Sequence, residues 1–493
     1  MNIMDMMVVD ANTDALGISK ALLMENAGKC VAQKIFEISK PCKINIYAGT
    51  GGNGGDGFVA ARYLHNHGFE VELSLIGHSS RISSYEALKN WELLSKLNIE
   101  TNNIILNIIE DHSQLEFNNA ELVIDAILGT GTKGKLRKPV SKAIDIINNS
   151  NSTVIAVDIP TGMDPQTGIV EYKAVKADFT ITFHKKKSGL INADKEYVGN
   201  ITVCDIGIPK EAELYTGPGD LLRLKQRNFN SHKGQNGKVL ILGGSEDYSG
   251  APAFVGISAL RSGVDISVVA CPRCVTSTIR SYCPDLIVKS LSNNYITFDD
   301  IDKIMELSKN ADSMVVGCGI GREEETGLAL KEIIKKINIP IIIDADALKL
   351  LNFDLIKQYK NEVILTPHKT EFKAFFGLDV PKKLDQQIKT IIECSKKCKS
   401  TILLKGSTDI ISNGYKIKLN TTGNPGMTVG GTGDILAGIV GALVAQGYDI
   451  FEAAYLGSYI NGSAGDLTAE DYGYNLIASD ILKYIPKLFK KRI

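Results

Sequence analysis

The stretch 423–434, GNPGMTVGGTGD, holds five glycines and one charged side chain in twelve residues and runs directly into ILAGIVGALVAQG at 435–447. A loop with so little side chain exposes its backbone N–H groups, and glycine lets successive amides face one point. At the start of a helix, such amides form an anion hole. The helix that follows is apolar nearly all round, which predicts a buried amino end where these dipoles act away from water. A phosphate suits this arrangement. Asp434 then needs a reason, because a carboxylate beside bound phosphate repels it. An N-cap is the plainer role, but a capping box asks for Glu or Gln three residues on, where Ala437 stands. The sharper role is a general base that takes the proton from a substrate hydroxyl attacking the held phosphate.

Outward from this loop, short β-branched runs alternate with helical stretches. KINIYA (43–48), EVELSLI (70–76), LVIDAI (122–127) and TVIAVDI (153–159) form a first series. KVLILGG (238–244), DISVVA (265–270), SMVVGCG (313–319), PIIIDADA (340–347), EVILTPH (362–368) and TILLKG (401–406) form a second. Each series predicts a mostly parallel sheet covered by helices, so the chain reads as two tandem three-layer α/β domains. A length of 493 residues fits that count. The segment GIPKEAELYTGPGDLLRLKQRNFNSHKGQNG, with Gly217-Pro218-Gly219 and no strong period, has a connector's composition; the expected domains are 1–217 and 218–493.

In the first domain, the strand KINIYA leads into Gly49-Thr-Gly51-Gly52-Asn53-Gly54-Gly55-Asp56-Gly57 and then a helix, with Phe58, Ala61 and Leu64 on one face and Gly68 at its end. Gly49, Gly51 and Gly54 satisfy G-x-G-x-x-G, and Glu70 and Glu72 fall near the position of a dinucleotide fold's ribose-binding acid. That fingerprint leaves Asn53 and Asp56 unexplained, since two oxygen-bearing side chains in the turn suit a cation or a hydroxyl-bearing ligand; turn geometry alone is the other account. Asp125 ends a strand before Gly129, Gly131 and Gly134, where Gly129-x-x-x-x-Gly134-Lys135 nearly spells a P-loop. Leu136 stands where a P-loop has Ser or Thr, so that reading fails. Asp158 ends another strand, with Thr161 in the turn beyond it. Carboxylates at the carboxyl ends of adjacent parallel strands point into one ligand crevice.

GNGGDGFVAARYL, VIDAILGTG, AVDIPTGMD and TFHKKKSGL, in that order, resemble the N-terminal epimerase domain of the bifunctional NAD(P)H-hydrate repair enzymes over most of residues 10–215. The resemblance implies a Rossmann-like fold and a potassium ion held by Asn53, Asp125 and Thr161, an oxygen-only set that suits a hard cation. It makes Gly52, Asn53, Gly54, Gly55, Asp56, Gly129, Thr130, Gly131, Thr132, Lys133, Gly134, Lys135 and Asp158 the binders of hydrated nicotinamide nucleotide. Asp158 is also a candidate for moving a proton.

In the second half, G-T-G-D looks like the signature of ribokinase-type kinases. HKGQNGKVLILGGSEDYSGAPAFVGISALRSG, DADALKLL, LTPHKTEF, LLKGSTDII and NTTGNPGMTVGGTGDILAGIVGALVAQG resemble the ADP-dependent dehydratase domain of the same enzymes over almost all of 230–490. By that resemblance Lys405, Gly406, Ser407, Thr408 and Asp409, with Asn424, Pro425, Gly426, Met427, Thr428, Val429, Gly430, Gly431, Thr432 and Gly433, cradle ADP. Ala251, Gly319, His368 and Asp434 face the hydrated substrate, and Mg²⁺ accompanies the nucleotide. His368 also reads as an ordinary turn histidine after Pro367, and Asp265 stands where relatives carry a small residue.

The expected activity is repair of hydrated NADH and NADPH. One domain interconverts the R and S epimers, and the other dehydrates the S form while ADP becomes AMP and phosphate. The rival readings are an ATP-dependent sugar or vitamin kinase with a Rossmann-like partner domain, and a first domain that senses nucleotide without turnover. With 55 basic and 56 acidic residues, no global field draws in nucleic acid or a membrane, and the lysine runs 185–187 and 490–491 read as solvated faces. No apolar run reaches the roughly 18 residues of a membrane span, and the expected location is cytoplasmic. Nine cysteines, an odd number in a large chain, predict reduced thiols rather than a disulfide framework. Cys271/Cys274 and Cys394/Cys398 lack nearby histidines and are not read as a zinc site. A homo-oligomer acting on small molecules is expected.

Overall fold

The computed structural model describes residues 1–101, 104–116, 118–131 and 136–490. It divides into two compact units, Met1–Ala212 and Glu213–Ile493.

The first unit is built on a parallel sheet of β1 (Lys43–Ala48), β2 (Glu70–Ile76), β3 (Ile104–Ile109), β4 (Leu122–Ala126), β5 (Thr153–Val157), β6 (Phe179–Phe183) and β7 (Asn200–Cys204), in the order β3-β2-β1-β4-β5-β6-β7. Helices Lys20–Ile38 and Gly52–Asn66 bury Val31, Ile35, Phe58, Ala61 and Leu64 against one face. Helix Val140–Asn148 covers part of the other through Ile144 and Ile147. Strand order reverses between β1 and β4, so the loops after them open a crevice at the switch point.

The second unit carries β8 (Lys238–Leu242), β9 (Ile266–Cys271), β10 (Ile287–Ser290), β11 (Ser313–Val316), β12 (Ile341–Ile343), β13 (Val363–Leu365), β14 (Thr401–Leu404), β15 (Asp409–Ser412) and β16 (Ile417–Asn420). Their order is β10-β9-β8-β11-β12-β13-β14-β15-β16, parallel except for the β14–β15–β16 meander. Alternate residues serve opposite faces. Val239, Ile241, Val315 and Ile342 pack on helices Gly250–Arg261 and Thr432–Ala445, while Leu240, Leu242, Met314 and Ile343 pack on Ile301–Ser308 and Glu324–Lys336. The switch point lies between β8 and β11.

Several strands escape the apolar-run reading. β3, β7, β10 and β16 are sheet edges, where Ile105 (52% exposed) and Val203 (41% exposed) face solvent and break the pattern. In β6 the inward residues Thr180 and Thr182 are polar, and both are fully buried. The expected junction at 217/218 also shifts. Tyr215 bridges Leu419, the Thr216 amide donates to Leu419 O (2.8 Å), and buried Asp220 pairs with Lys418 (3.4 Å), so 213–224 packs as part of the second unit. Asp265 has a structural task. It accepts hydrogen bonds from the amides of Gly234 (2.8 Å) and Asn236 (3.0 Å) and pairs with Arg227 (2.9 Å), fastening the segment before β8.

Two sequence expectations are corrected. Cys30 and Cys204 form a disulfide, their Cα atoms 6.4 Å apart; a pairing 174 residues long is invisible to counting. The other seven cysteines are free thiols. Lys187 is not a solvated lysine but a buried one, 2% exposed.

Candidate active sites

In the first unit, a cavity of about 710 Å³ opens at the β1/β4 switch point. Gly52, Asn53, Asp56, Gly129, Thr130, Gly131 and Asp158 line it, among the expected binders. Helix Gly52–Asn66 starts on Gly51 with no side-chain cap, so its first amides are left for a ligand. Gly54 and Gly55 serve packing instead. A Cβ on Gly54 would sit 1.8 Å from Gly49 O, and one on Gly55 would sit 2.5 Å from the Met24 methyl. Thr132, Lys133, Gly134 and Lys135 lie outside the described residues.

Below the loops, Asp125 and Thr161 are fully buried. Asp125 accepts hydrogen bonds from Thr161 Oγ1 (2.6 Å), Thr161 N (2.7 Å) and Ile127 N (3.2 Å), all neutral donors. Burial pushes its carboxyl up to about 6 against those bonds. Asn53 packs on Gly129, and its Oδ1 and Nδ2 are buried without a hydrogen-bond partner among the described residues. A buried carboxylate with a threonine hydroxyl on it, and an orphaned amide oxygen on the neighbouring loop, are the donor chemistry of a cation that accepts only oxygen ligands.

At the far wall, Lys187 Nζ bonds Asp158 Oδ1 and also donates to Thr182 Oγ1 (3.1 Å) and Phe183 O (3.1 Å). Thr182 Oγ1 donates to the same Asp158 oxygen (3.0 Å). Asp158 holds φ +64°, a left-handed conformation unusual for a non-glycine residue and typical of strained functional positions. Asp10, from helix Ile3–Ala15, lines this wall too. Burial first, then the charge of Asp158, raises Asp10 to about 6, while Lys187 and Lys20 oppose the shift. Burial and Asp158 likewise hold Asp56 well above the usual carboxylate range. Glu72 is engaged elsewhere: it accepts from Asn107 (3.0 Å) and Asn118 (2.6 Å) and pairs with Lys43 (3.5 Å), which removes it as a ribose ligand.

In the second unit, a cavity of about 520 Å³ is lined by Lys405, Gly406, Ser407, Asp409, Asn424, Pro425, Met427, Thr428, Thr432 and Gly433. Helix Thr432–Ala445 begins on Gly431 at φ +100°, again with no side-chain cap. Asp434 is therefore not the cap; it lies in the first turn. Its neighbours are acidic and tightly placed. Side-chain atoms of Cys318, Asp344 and Asp434 lie within 4.8 Å of one another, and Cys318 Sγ donates to Asp344 Oδ2 (3.6 Å). Lys405 Nζ pairs with Asp344 (2.8 Å) and approaches Glu371 (3.8 Å), giving the cluster its counter-charge. Burial, reinforced by Asp344, raises Asp434 to about 6; a hydrogen bond from Cys318 and the charge of Lys405 resist.

Ala251 and Gly319 meet at the β8/β11 switch point. Gly319 adopts φ +64°, and a Cβ there would lie 2.8 Å from Tyr248 Cβ and 3.1 Å from Ala251 Cβ. His368 caps helix Lys369–Phe376: its Nδ1 accepts from Thr370 N (3.1 Å) and Glu371 N (3.2 Å), and its Nε2 meets Glu371 (3.2 Å). Asn424 bonds Gly465 O (3.0 Å) and Asp466 (3.1 Å), and Asp409 accepts from Gly406 N (2.9 Å) and Ser458 Oγ (2.6 Å), so both shape the cavity wall. Gly426 and Gly431 pack against Tyr474 and Phe254, whereas Thr408, Val429 and Gly430 are not among the lining residues.

Residues 239–487 match the family described as NAD(P)H-hydrate dehydratase, and residues 20–189 match the YjeF-related protein N-terminus. The bifunctional NAD(P)H-hydrate repair enzyme Nnr of Methanothermobacter thermautotrophicus is 46% identical over 489 residues, covering 98% of this chain and 94% of the relative. Its namesake in Archaeoglobus fulgidus is 41% identical, with 98% and 97% covered. The chain belongs to the bifunctional NAD(P)H-hydrate repair enzymes. Among solved structures, the ADP/ATP-dependent NAD(P)H-hydrate dehydratase of Bacillus subtilis, co-crystallised with ATP and Mg²⁺, is similar at 26% identity and TM-score 0.50, over 56% of this chain and 98% of that one. A ribokinase-like superfamily protein of Enterococcus faecalis is similar at 26% identity and TM-score 0.50, over 56% and 95%. The sugar or vitamin kinase reading is set aside, because both halves match the repair-enzyme domains. Among the described residues, no helix is long and apolar enough to cross a membrane.

Proposed function

We propose that this repair enzyme epimerises hydrated NADH and NADPH in the first cavity and dehydrates the S epimer in the second, with ADP converted to AMP and phosphate. The observation that carries the dehydratase half is Asp434 in the first turn of an uncapped, glycine-led helix, with the half-buried Lys405 as nearby counter-charge. The helix amides hold the transferring phosphoryl group, Asp434 takes the proton of the attacking hydroxyl, and Lys405 offsets charge as it builds. Phosphorylation converts a poor leaving group, hydroxide, into a good one.

Lys405 is the cation among the residues lining the nucleotide cavity and is already committed to Asp344, so nucleotide charge calls for Mg²⁺ carried on the phosphates. Potassium would sit on Asn53 Oδ1, Asp125 and Thr161 Oγ1, where the orphaned Asn53 amide and the neutral donors around Asp125 support it. Bound there, the ion would neutralise Asp125 and fix the Gly129 loop beside the substrate. The test is to incubate the protein with mixed hydrate epimers and ADP and follow reduced-nicotinamide absorbance. Full recovery supports both activities. Recovery of only the S share contradicts the epimerase half, and no recovery contradicts the dehydratase half.

A further inference from the structure

The first cavity holds more ionisable groups than binding a nucleotide requires. Asp10, Asp56, Asp158 and Lys187 all line it, and they come from four separate places: helix Ile3–Ala15, helix Gly52–Asn66, and the ends of β5 and β6. Asp158 is accounted for by its ion pair with Lys187 and its bond from Thr182. Asp10 and Asp56 are not. Three carboxyl groups face one buried ammonium, with Lys20 also at the rim, so the wall is short of positive charge.

We infer that Asp56 and Asp10 are the acid and base of epimerisation, and that the carboxyl-rich wall they form with Asp158 suits a cationic ring intermediate. This inference rests on the epimerase reading of the first unit. Adding water across an enamine double bond places the hydroxyl on the carbon bonded to nitrogen. The ring nitrogen's lone pair expels that hydroxyl: the C–O bond breaks, a C=N⁺ bond forms, and the Asp56 proton passes to the departing oxygen, giving water. Water then adds to the opposite face of the same carbon, the C=N⁺ electrons return to nitrogen, and Asp10 takes the released proton. The reverse direction uses the two carboxyls in exchanged roles, and for a second turnover in the same direction the proton returns from Asp10 to Asp56 through water, so one proton serves the pair and no oxidant is consumed. Two carboxyl groups of unequal proton affinity in one cavity is the pattern expected of such a pair. Burial and Asp158 push Asp56 well above the usual carboxylate range, toward the protonated form, while Asp10 is raised to about 6 by burial and Asp158, with Lys187 and Lys20 opposing.

The test uses the full chain in ¹⁸O-labelled water with the separated epimers. Wild-type protein should place solvent oxygen in the product epimer in step with epimerisation. Asp10→Asn and Asp56→Asn should each slow epimerisation by about 10²–10⁴-fold, with the double variant losing little more, because the two act as a unit. ADP-dependent dehydration of the S epimer in the same preparations reports on the second unit, and a wild-type-like thermal unfolding profile of the full chain reports that the first unit still folds. Asp10→Glu should keep measurable activity and its acid limb near pH 6; Asp10→Asn should lose that limb. Retention of the original oxygen overturns C–O cleavage, and near-wild-type epimerisation by either Asn variant overturns the pair. A wild-type chain that does not epimerise at all contradicts the epimerase reading itself, which separates the two failures.

Discussion

The role proposed for Asp434 requires a half-buried acid that stays available as a base. Its surroundings pull both ways: burial and Asp344 favour the proton, while Cys318 and Lys405 favour the carboxylate, and the balance lies at about 6. In the proposed general-base role the ionised form is the active one, so kcat/KM for dehydration should fall tenfold per unit as pH drops below about 6 and level off above it, as a pH–rate profile would show. Asp434→Asn should lower dehydration by about 10²–10⁴-fold and leave ADP affinity nearly unchanged by calorimetry. Lost ADP binding with normal single-turnover chemistry would reverse the assignment. Asp125→Ala should abolish epimerisation while dehydration continues; an unchanged R-to-S rate would remove the cation site. Asp434, Asp158 and Asn53 were legible because short motifs surround them. Asp10, Asp344, Cys318 and Glu371 were not, since residues distant in sequence bring each to its cluster, as in the Lys405–Asp344 pair. Lys187 was masked by its own context, where three successive lysines look like a charged surface although the third is buried.

At the level of elements, the same device occurs twice. Helices Gly52–Asn66 and Thr432–Ala445 each start on a glycine without a side-chain cap, beside a switch-point sheet. A capped start would satisfy those amides internally, so an uncapped start at a cavity leaves them available to a ligand. Backbone strain gathers at the same strand ends: Asp158 after β5, His184 after β6 and Ala345 after Asp344 all hold positive φ. The glycines divide into those that open a surface and those that permit contact. Gly54→Ala would drive a methyl into Gly49 O, so it should cut epimerisation at least tenfold while dehydration is retained; equal activity would show that the loop tolerates the shift. Sequence periodicity found the central strands because they are apolar on both faces. It missed edge strands such as β3, and β6, whose buried threonines carry hydrogen bonds.

For the whole chain, two units with separate cavities imply that the S epimer leaves one site before entering the other or is replaced by exchange with solution. A mixture of Asp158→Asn and Asp434→Asn chains should then repair the R epimer, although neither variant does so alone at a useful rate. Failure of the mixture would mean that the intermediate must stay within one chain. The tandem organisation was legible from two restarting strand series. The junction was not, because Pro218 and its glycines form a packed 3₁₀ turn rather than a free linker.

The account depends most on phosphoryl transfer to the hydrated substrate at the Gly431–Asp434 turn. The direct measurement is ADP-dependent recovery of reduced-nicotinamide absorbance from the purified S hydrate, wild type against Asp434→Asn, with AMP and phosphate quantified in parallel. Wild type should release one AMP and one phosphate per nicotinamide restored, and the variant should be slower by about 10²–10⁴-fold. Recovery that proceeds without nucleotide, or an Asn variant as fast as wild type, would contradict it.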